Sequence, residues 1–140
     1  MLDNNLSKKW IIVISSPSGA GKSSICKRLL EDDTQLNISI SDTTRLPRDN
    51  EIDGSDYNFI SKEKFEKRVK NNEYIEYANV FGNYYGSLYK NVNNSLKHGF
   101  DILFDIDWQG SLQLKKSSYP NILTIFITPP SKKTIYERLR

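Results

Sequence analysis

With 140 residues, 37% of them hydrophobic, the chain has material for one domain with a core of its own and too little for two. Its 20 Lys and Arg against 17 Asp and Glu leave a net charge of +3, scattered rather than blocked, which by itself does not argue for a nucleic-acid surface and suits small polyanionic substrates equally well; no nucleic-acid partner is expected. The single cysteine, Cys26, excludes an internal disulfide and a zinc ligand set, and the apolar run at Trp10 to Ile14 is too short for a signal-peptide core or a membrane span, so a cytoplasmic protein without a membrane partner is expected.

Taken in chain order, Ile11-Ile12-Val13-Ile14 is an apolar run without alternation, which predicts a strand covered on both faces. Ser16-Pro17-Ser18-Gly19-Ala20-Gly21-Lys22-Ser23 follows, matching the phosphate-loop pattern G-x-x-x-x-G-K-[ST] except for Ser16 at the first glycine position. Gly19 and Gly21 let backbone N–H groups turn inward to phosphate oxygens, Lys22 brings a mobile cation to the β- and γ-phosphates, and the Ser23 hydroxyl suits magnesium. Serine at position 16 is harmless provided that its φ is negative. A helix is predicted over Lys22 to Glu31, with Cys26 as a small core residue beside Ile25 and Leu29. A strand around Leu36 to Ile40 is followed by a polar stretch to about Ser55. Further β segments are expected at Tyr57 to Ile60, Tyr74 to Val80 and Tyr84 to Ser87. Between them, Lys62 to Asn71 reads as a helix capped by Ser61, with Phe65 and Val69 on one face. Tyr89, Val92 and Leu96 mark a helix that Gly99 ends. Ile102 to Phe104 and Ile122 to Ile127 are again apolar runs expected to be covered on both faces. Pro129-Pro130 closes the last of them, Ser131 caps a helix, and the apolar stripe of Ile135 and Leu139 is still running at Arg140, which predicts a truncated element. The frame is α/β: a three-layer core around a parallel sheet with the loop-bearing strand at its centre, and a small mixed α/β insertion.

Arg45 and Arg48 stand three apart, with Pro47 holding Leu46 extended, so their forked donors can converge on one anion. The loop at Ser16 to Ser23 already accounts for a triphosphate, so the pair implies a second phosphate; surface ion pairing is the plainer alternative. Two phosphate sites on one small domain point to phosphoryl transfer between nucleotides, a reaction achieved by positioning and charge neutralisation.

The chain resembles the guanylate kinase family in four blocks whose order and spacing agree along its whole length: Pro17 to Ser23, Thr44-Arg45 to Tyr57-Asn58-Phe59, Glu76-Tyr77-Ala78 to Gly82-Asn83-Tyr84-Tyr85-Gly86-Ser87, and Asp105-Ile106-Asp107-Trp108-Gln109-Gly110. The resemblance implies transfer of the γ-phosphate of ATP to GMP, with magnesium accompanying ATP. It divides the chain into a core (1–40 and 89–130), a GMP-binding insertion (41–88) and the start of a lid (131–140), the family's C-terminal part being absent. It implies that Ser16, Pro17, Ser18, Gly19, Ala20, Gly21, Lys22 and Ser23 bind ATP. Ser41, Arg45, Arg48, Tyr57 and Tyr85 would then hold the GMP phosphate, and Glu76, Ser87 and Asp107 would read the guanine edge. Lys22, Arg45, Arg48 and Arg138 form the implied catalytic set, although Arg138 could equally be a solvated helix residue. Ser23 and Asp105 are the candidates for magnesium, Asp105 through water. Guanine's N1–H and N2–H donors and O6 acceptor suit a carboxylate beside a hydroxyl, whereas adenine would set a lone pair against Glu76. Solvated strand-end acids are the alternative for Glu76 and Asp107. Tyr74, Tyr77 and Tyr84 read as packing residues, His98 takes no part, and no general base is needed because the acceptor is an ionised phosphate. Two other functions remain open here: a related module that binds phosphorylated peptides, which usually lacks a working phosphate loop, and a kinase for another nucleoside monophosphate. The 140 residues are expected to bind GMP and phosphate but to turn over poorly, and the sequence does not choose between monomer and homodimer.

Overall fold

The computed structural model describes residues 8–17 and 21–139, with only the backbone at positions 134, 135, 138 and 139. In chain order its elements are β1 (Ile11–Ser15), α1 (Lys22–Asp32), β2 (Leu36–Ile38), β3 (Asp42–Thr43), β4 (Asn58–Phe59), α2 (Lys62–Lys70), β5 (Tyr74–Val80), β6 (Asn83–Leu88), α3 (Tyr89–Lys97), β7 (Asp101–Asp105), α4 (Trp108–Lys115), β8 (Ile122–Phe126) and α5 (Lys132–Leu139). None of its helices is long and apolar enough to cross a membrane, among the described residues.

Four strands form a parallel sheet in the order β2-β7-β1-β8, so the loop-bearing strand is central. Because side chains alternate across a strand, the register Ile11 to Ile102 and Val13 to Phe104 gathers these residues on one face. There they pack with Val92 and Leu96 of α3 and Leu114 of α4. On the other face Ile14 and Leu103 meet Cys26 of α1 and Leu36. Helices therefore cover both faces, giving the expected three layers. Each such side chain contributes about 1.5–3 kcal/mol when fully buried. Cys26 belongs to this packing, and burial pushes its thiol up to about 11, so it stays protonated.

The structure amends the sequence reading at the sheet edges. Ile25 and Leu29 are more than a third exposed, because α1 turns Cys26 and the half-buried Leu30 to the sheet instead. β2 stops at Ile38, and Ser39 is held by a last bond to the Leu103 carbonyl. β8 is an edge strand, and Leu123, Ile125 and Phe126 are exposed rather than covered, since α1 packs over β2, β7 and β1 at the other side of the sheet. The terminal stripe of Ile135 and Leu139 lies outside the described side chains.

A second, mixed sheet in the order β4-β3-β6-β5 occupies the middle of the chain. Its strands β3 and β4 are only two residues long, within and just after the stretch read as polar. One face packs on α2, where Phe65 stacks on Tyr74 at 4.6 Å and touches Tyr77 and Tyr84. On that side Asp42 is 1% exposed and accepts bonds from Arg68, Tyr74 (2.7 Å) and Asn58 (3.2 Å). The opposite face carries Glu76, Ala78, Tyr85 and Ser87, paired across β5 and β6. Between Tyr74 and Glu76 the register slips by one residue, a bulge at Ile75 that sends Tyr74 to the α2 side and Glu76 to the other.

Ser61 caps α2 as expected, accepting from the Lys64 N–H at 3.2 Å. Gly99, at φ 87, ends α3: its N–H bonds to the Leu96 carbonyl and that of Phe100 to Ser95, the pairing of a Schellman motif. The β5–β6 turn is Phe81-Gly82, with φ of 51 and 84, both positive as a type I′ turn requires. Phe81 there is 99% exposed.

Candidate active site

The first turn of α1 and the ends of β1 and β7 meet the second sheet at a cavity of about 260 Å³. Lys22, Ser23 and Asp105 line it from the core side; Ser41, Tyr57, Glu76, Tyr85 and Asp107 complete it. These residues come from well-separated parts of the sequence, and the fold brings Lys22 and Ser23 of the loop to one opening with Tyr57 and Tyr85, while neither Arg45 nor Arg48 is part of its lining.

On the core side, Gly21 is the N-cap of α1 at φ 89, and no side chain caps the helix. No acid occupies its first turn, so the N–H groups there keep the partial positive charge that attracts phosphate. Ser16 is not among the described residues with positive φ, which removes the steric objection to serine at that position. Ser18, Gly19 and Ala20 lie outside the described residues, as does the side chain of Arg138. Lys22 Nζ sits 2.9 Å from Asp105 Oδ1 and donates to the Ile106 carbonyl at 3.4 Å.

On the other side a relay of hydroxyls ends on a carboxylate. Ser87 Oγ donates to Glu76 Oε1 at 2.6 Å, so its oxygen is left to accept from Ser41 Oγ at 3.3 Å. Glu76 is 3% exposed and is no solvated strand-end acid. Burial raises its pKa to about 7, against the pull of the Ser87 hydroxyl and with a further push from Asp107. Asp107 is the N-cap of α4, accepting from the Gly110 N–H at 3.1 Å and from Gln109 at 3.3 Å. Both its oxygens thus have one bond each, and lone pairs remain for a ligand. Ser87 stands behind Glu76 without lining the cavity itself.

The arginines behave differently from one another. Arg45 forks onto Glu51 at 2.7 and 2.9 Å, donates to the Leu46 carbonyl at 3.0 Å, and reaches the Tyr85 hydroxyl through Nε at 3.3 Å. Four of its five donors are engaged in this way, and the guanidinium also acts on the Tyr57 hydroxyl. Glu51 also accepts from the Arg48 backbone N–H at 2.8 Å, and the Arg45 fork, with that bond, holds its carboxyl down to about 2. The two arginines therefore do converge on one anion, but it is the Glu51 carboxylate, and Arg48 contributes its backbone rather than its exposed side chain. Because Tyr85 accepts from Arg45, its own hydrogen is free to donate. Tyr57 packs edge-on to Tyr85 at 5.8 Å, with the Arg45 guanidinium 5.3 Å from its ring. Burial first, then the Tyr85 and Asp105 charges, raise its pKa, so it remains a donor.

Several contributors carried no signal in the loop and arginine motifs. Glu51 holds Arg45, and Gly110 makes room for Glu76: a Cβ there would lie 2.5 Å from Glu76 Oε2. Gly110 stood in the fourth block of the sequence, but only the packing of α4 on β5 explains it. A larger depression of about 630 Å³ lies beside α2 and the start of α3, lined by Lys64, Arg68, Glu73 and Lys90 among others. Arg68 there is already paired with Asp42.

Comparison with known proteins places residues 8–140 in a match to the family model described as Guanylate kinase. The chain is 53% identical to guanylate kinase of Rickettsia bellii over 95% of its length and 69% of that protein's. To guanylate kinase of Rickettsia prowazekii it is 51% identical, over 95% of this chain and 67% of the relative. The crystal structure of guanylate kinase from Anaplasma phagocytophilum superposes with a TM-score of 0.80 at 37% identity, covering 93% of this chain and 65% of that one. The chain thus spans about two thirds of the length of these relatives.

Proposed function

The chain belongs to the guanylate kinase family, and from that premise we infer that it transfers the γ-phosphoryl group of ATP to GMP, giving ADP and GDP. The observation that carries the reading is the single cavity shared by Lys22 and Ser23 on one side and by Ser41, Tyr57, Glu76, Tyr85 and Asp107 on the other.

The ATP phosphates would lie on the first turn of α1, where Lys22 leaves Asp105 to neutralise the β- and γ-oxygens. The GMP phosphate would take hydrogen bonds from Tyr57, Tyr85 and Arg45, with Arg48 swinging in from solvent. Guanine would place N1–H and N2–H against Glu76 and Asp107, while Ser87 orients the Glu76 carboxylate. Every one of these groups binds or orients; none needs to remove a proton, because the attacking oxygen belongs to an ionised phosphate. Ser23 and Asp105 offer hard oxygen ligands in the same cavity, and the described residues hold no cluster of three or more His, Cys, Asp or Glu for a metal. That donor set fits a magnesium ion held mostly by substrate phosphates and water, which when bound would offset the charge of the triphosphate. We place the protein in the cytoplasm, in keeping with its buried free Cys26.

A coupled assay with ATP and, in turn, GMP, AMP, UMP and dTMP tests the reading. Phosphate transfer to GMP alone is expected, and robust transfer to any other acceptor would sink it.

A further inference from the structure

β5 is an edge strand paired with β6 on one side only, so its remaining N–H and C=O groups need partners elsewhere. Three of them find partners on α4. The Tyr77 N–H donates to Gln113 Oε1 at 3.0 Å, and Gln113 Nε2 donates back to the Tyr77 carbonyl at 2.6 Å. One turn earlier, Gln109 Nε2 reaches the Asn79 carbonyl at 3.5 Å. The spacing is commensurate, since four helical residues rise about 6 Å and two strand residues about 6.7 Å. Between the two glutamines Gly110 lies against Glu76, and the helix begins with Asp107 as its cap. The seat of α4 on β5 therefore fixes how far the two acids stand apart.

We propose that Gln113 is a positioning residue of the purine site: its amide clamps α4 to the edge of β5 and so sets the Glu76–Asp107 separation that selects guanine. The proposal rests on the reading of this cavity as a GMP pocket. Glutamine is suited to the task because one amide both donates and accepts; glutamate of the same length only accepts, and methionine does neither. Gln113 does not line the cavity, so its influence on a nucleotide passes through the helix it holds.

Calorimetric titration of the wild-type chain, Gln113→Met and Gln113→Glu with GMP and with IMP, which lacks the 2-amino group, tests the clamp. Gln113→Met is expected to bind GMP about tenfold more weakly and IMP little more weakly, so that the preference for GMP shrinks, with Gln113→Glu between the two. A residue that served stability alone would weaken both ligands alike. A GMP-to-IMP preference within about twofold of wild type therefore overturns the proposal, whatever happens to the affinities themselves. Thermal melts accompany each variant, and if Gln113→Met gives no cooperative transition, Gln113→Glu is judged by the same criterion. Failure of the wild-type chain to bind GMP would overturn the GMP-pocket reading and the clamp together, whereas equal preferences in a GMP-binding wild type and its variants would remove the clamp alone.

Discussion

Raising the pH from 5 to 8 is expected to cost this protein stability through one side chain, Glu76. Its carboxyl is moved from 4.5 to about 7 in the folded state, chiefly by burial. A folded-state pKa above the unfolded one means that the native chain holds the proton more tightly. The stabilisation is full below pH 4.5 and is lost as pH rises through about 7. At about 1.4 kcal/mol per unit, the part of that loss falling between pH 5 and pH 8 is roughly 2–3 kcal/mol. Glu76→Gln keeps the shape but cannot ionise, so its stability relative to wild type should climb by that amount over the same interval. For a chain of this size the gap corresponds to roughly 10 °C in Tm, readily followed by calorimetry at both pH values. GMP binding supplies the second half of the test, because guanine's donors require the ionised carboxylate. At pH 6 only about a tenth of Glu76 is ionised, so GMP should bind about tenfold more weakly than at pH 8 on this account alone. The nucleotide's own phosphate also titrates near pH 6, and the pH dependence left in Glu76→Gln measures that share. The same variant should discriminate less well against other purine monophosphates. A constant stability gap between wild type and Glu76→Gln from pH 5 to pH 8 would refute the burial argument; unchanged GMP selectivity in the variant would refute the assignment of Glu76 to guanine.

Gly110→Ala places a Cβ 2.5 Å from Glu76 Oε2 and 3.0 Å from the Ile106 side chain. It should lower stability by about 1–3 kcal/mol despite alanine's better helix propensity, and weaken GMP binding with it; an unchanged Tm and GMP affinity would show that α4 is free to shift. Asp42→Ala strands the Arg68 guanidinium and the Tyr74 hydroxyl, and a loss of about 3–5 kcal/mol is expected in denaturant melts. A loss under about 1 kcal/mol would mean that water replaces the carboxylate there at little cost. Phe81→Asn relieves an aromatic residue held at φ 51 with its ring in solvent, and should gain about 1 kcal/mol. Destabilisation instead would show that the ring has a partner in solution.

What could be read from residue order alone follows from how local each signal is. β1 and β7 announce themselves because their central runs, Ile11 to Ile14 and Ile102 to Phe104, have no polar position, while Ser61 marks a helix start through its side-chain cap and Gly99 a helix end through its positive φ. The loop at Lys22 stands out because its residue types sit together where a strand gives way to a helix, and α1 does begin there; Arg45 and Arg48 read as a phosphate pair for the same local reason, whereas the fold closes the Arg45 fork on Glu51. Long-range pairings were not legible. Strict alternation along β5 puts Tyr74 and Glu76 on one face, and only the bulge at Ile75 separates the packing side from the cavity side. Arg45 and Glu51 are six residues apart on a polar stretch, and nothing local says that the fork closes on that acid. β3 and β4 are too short to show any period, and β8 looks like a covered strand because its composition is that of one. α4 announced itself poorly, since Trp108 and Leu112 point outward and its working residues are two glutamines and a glycine.

Those glutamines have a consequence away from the site. An unprotected edge strand is a template on which another chain can add by main-chain pairing, and sheet proteins must blunt such edges to remain apart. At β5 the blunting is done by side-chain amides, which imitate a neighbouring strand without themselves offering a further edge to extend. The clamp therefore bears on colloidal behaviour as well as on purine recognition: wherever α4 lifts from β5, the Tyr77 and Asn79 peptide groups become available to a stranger.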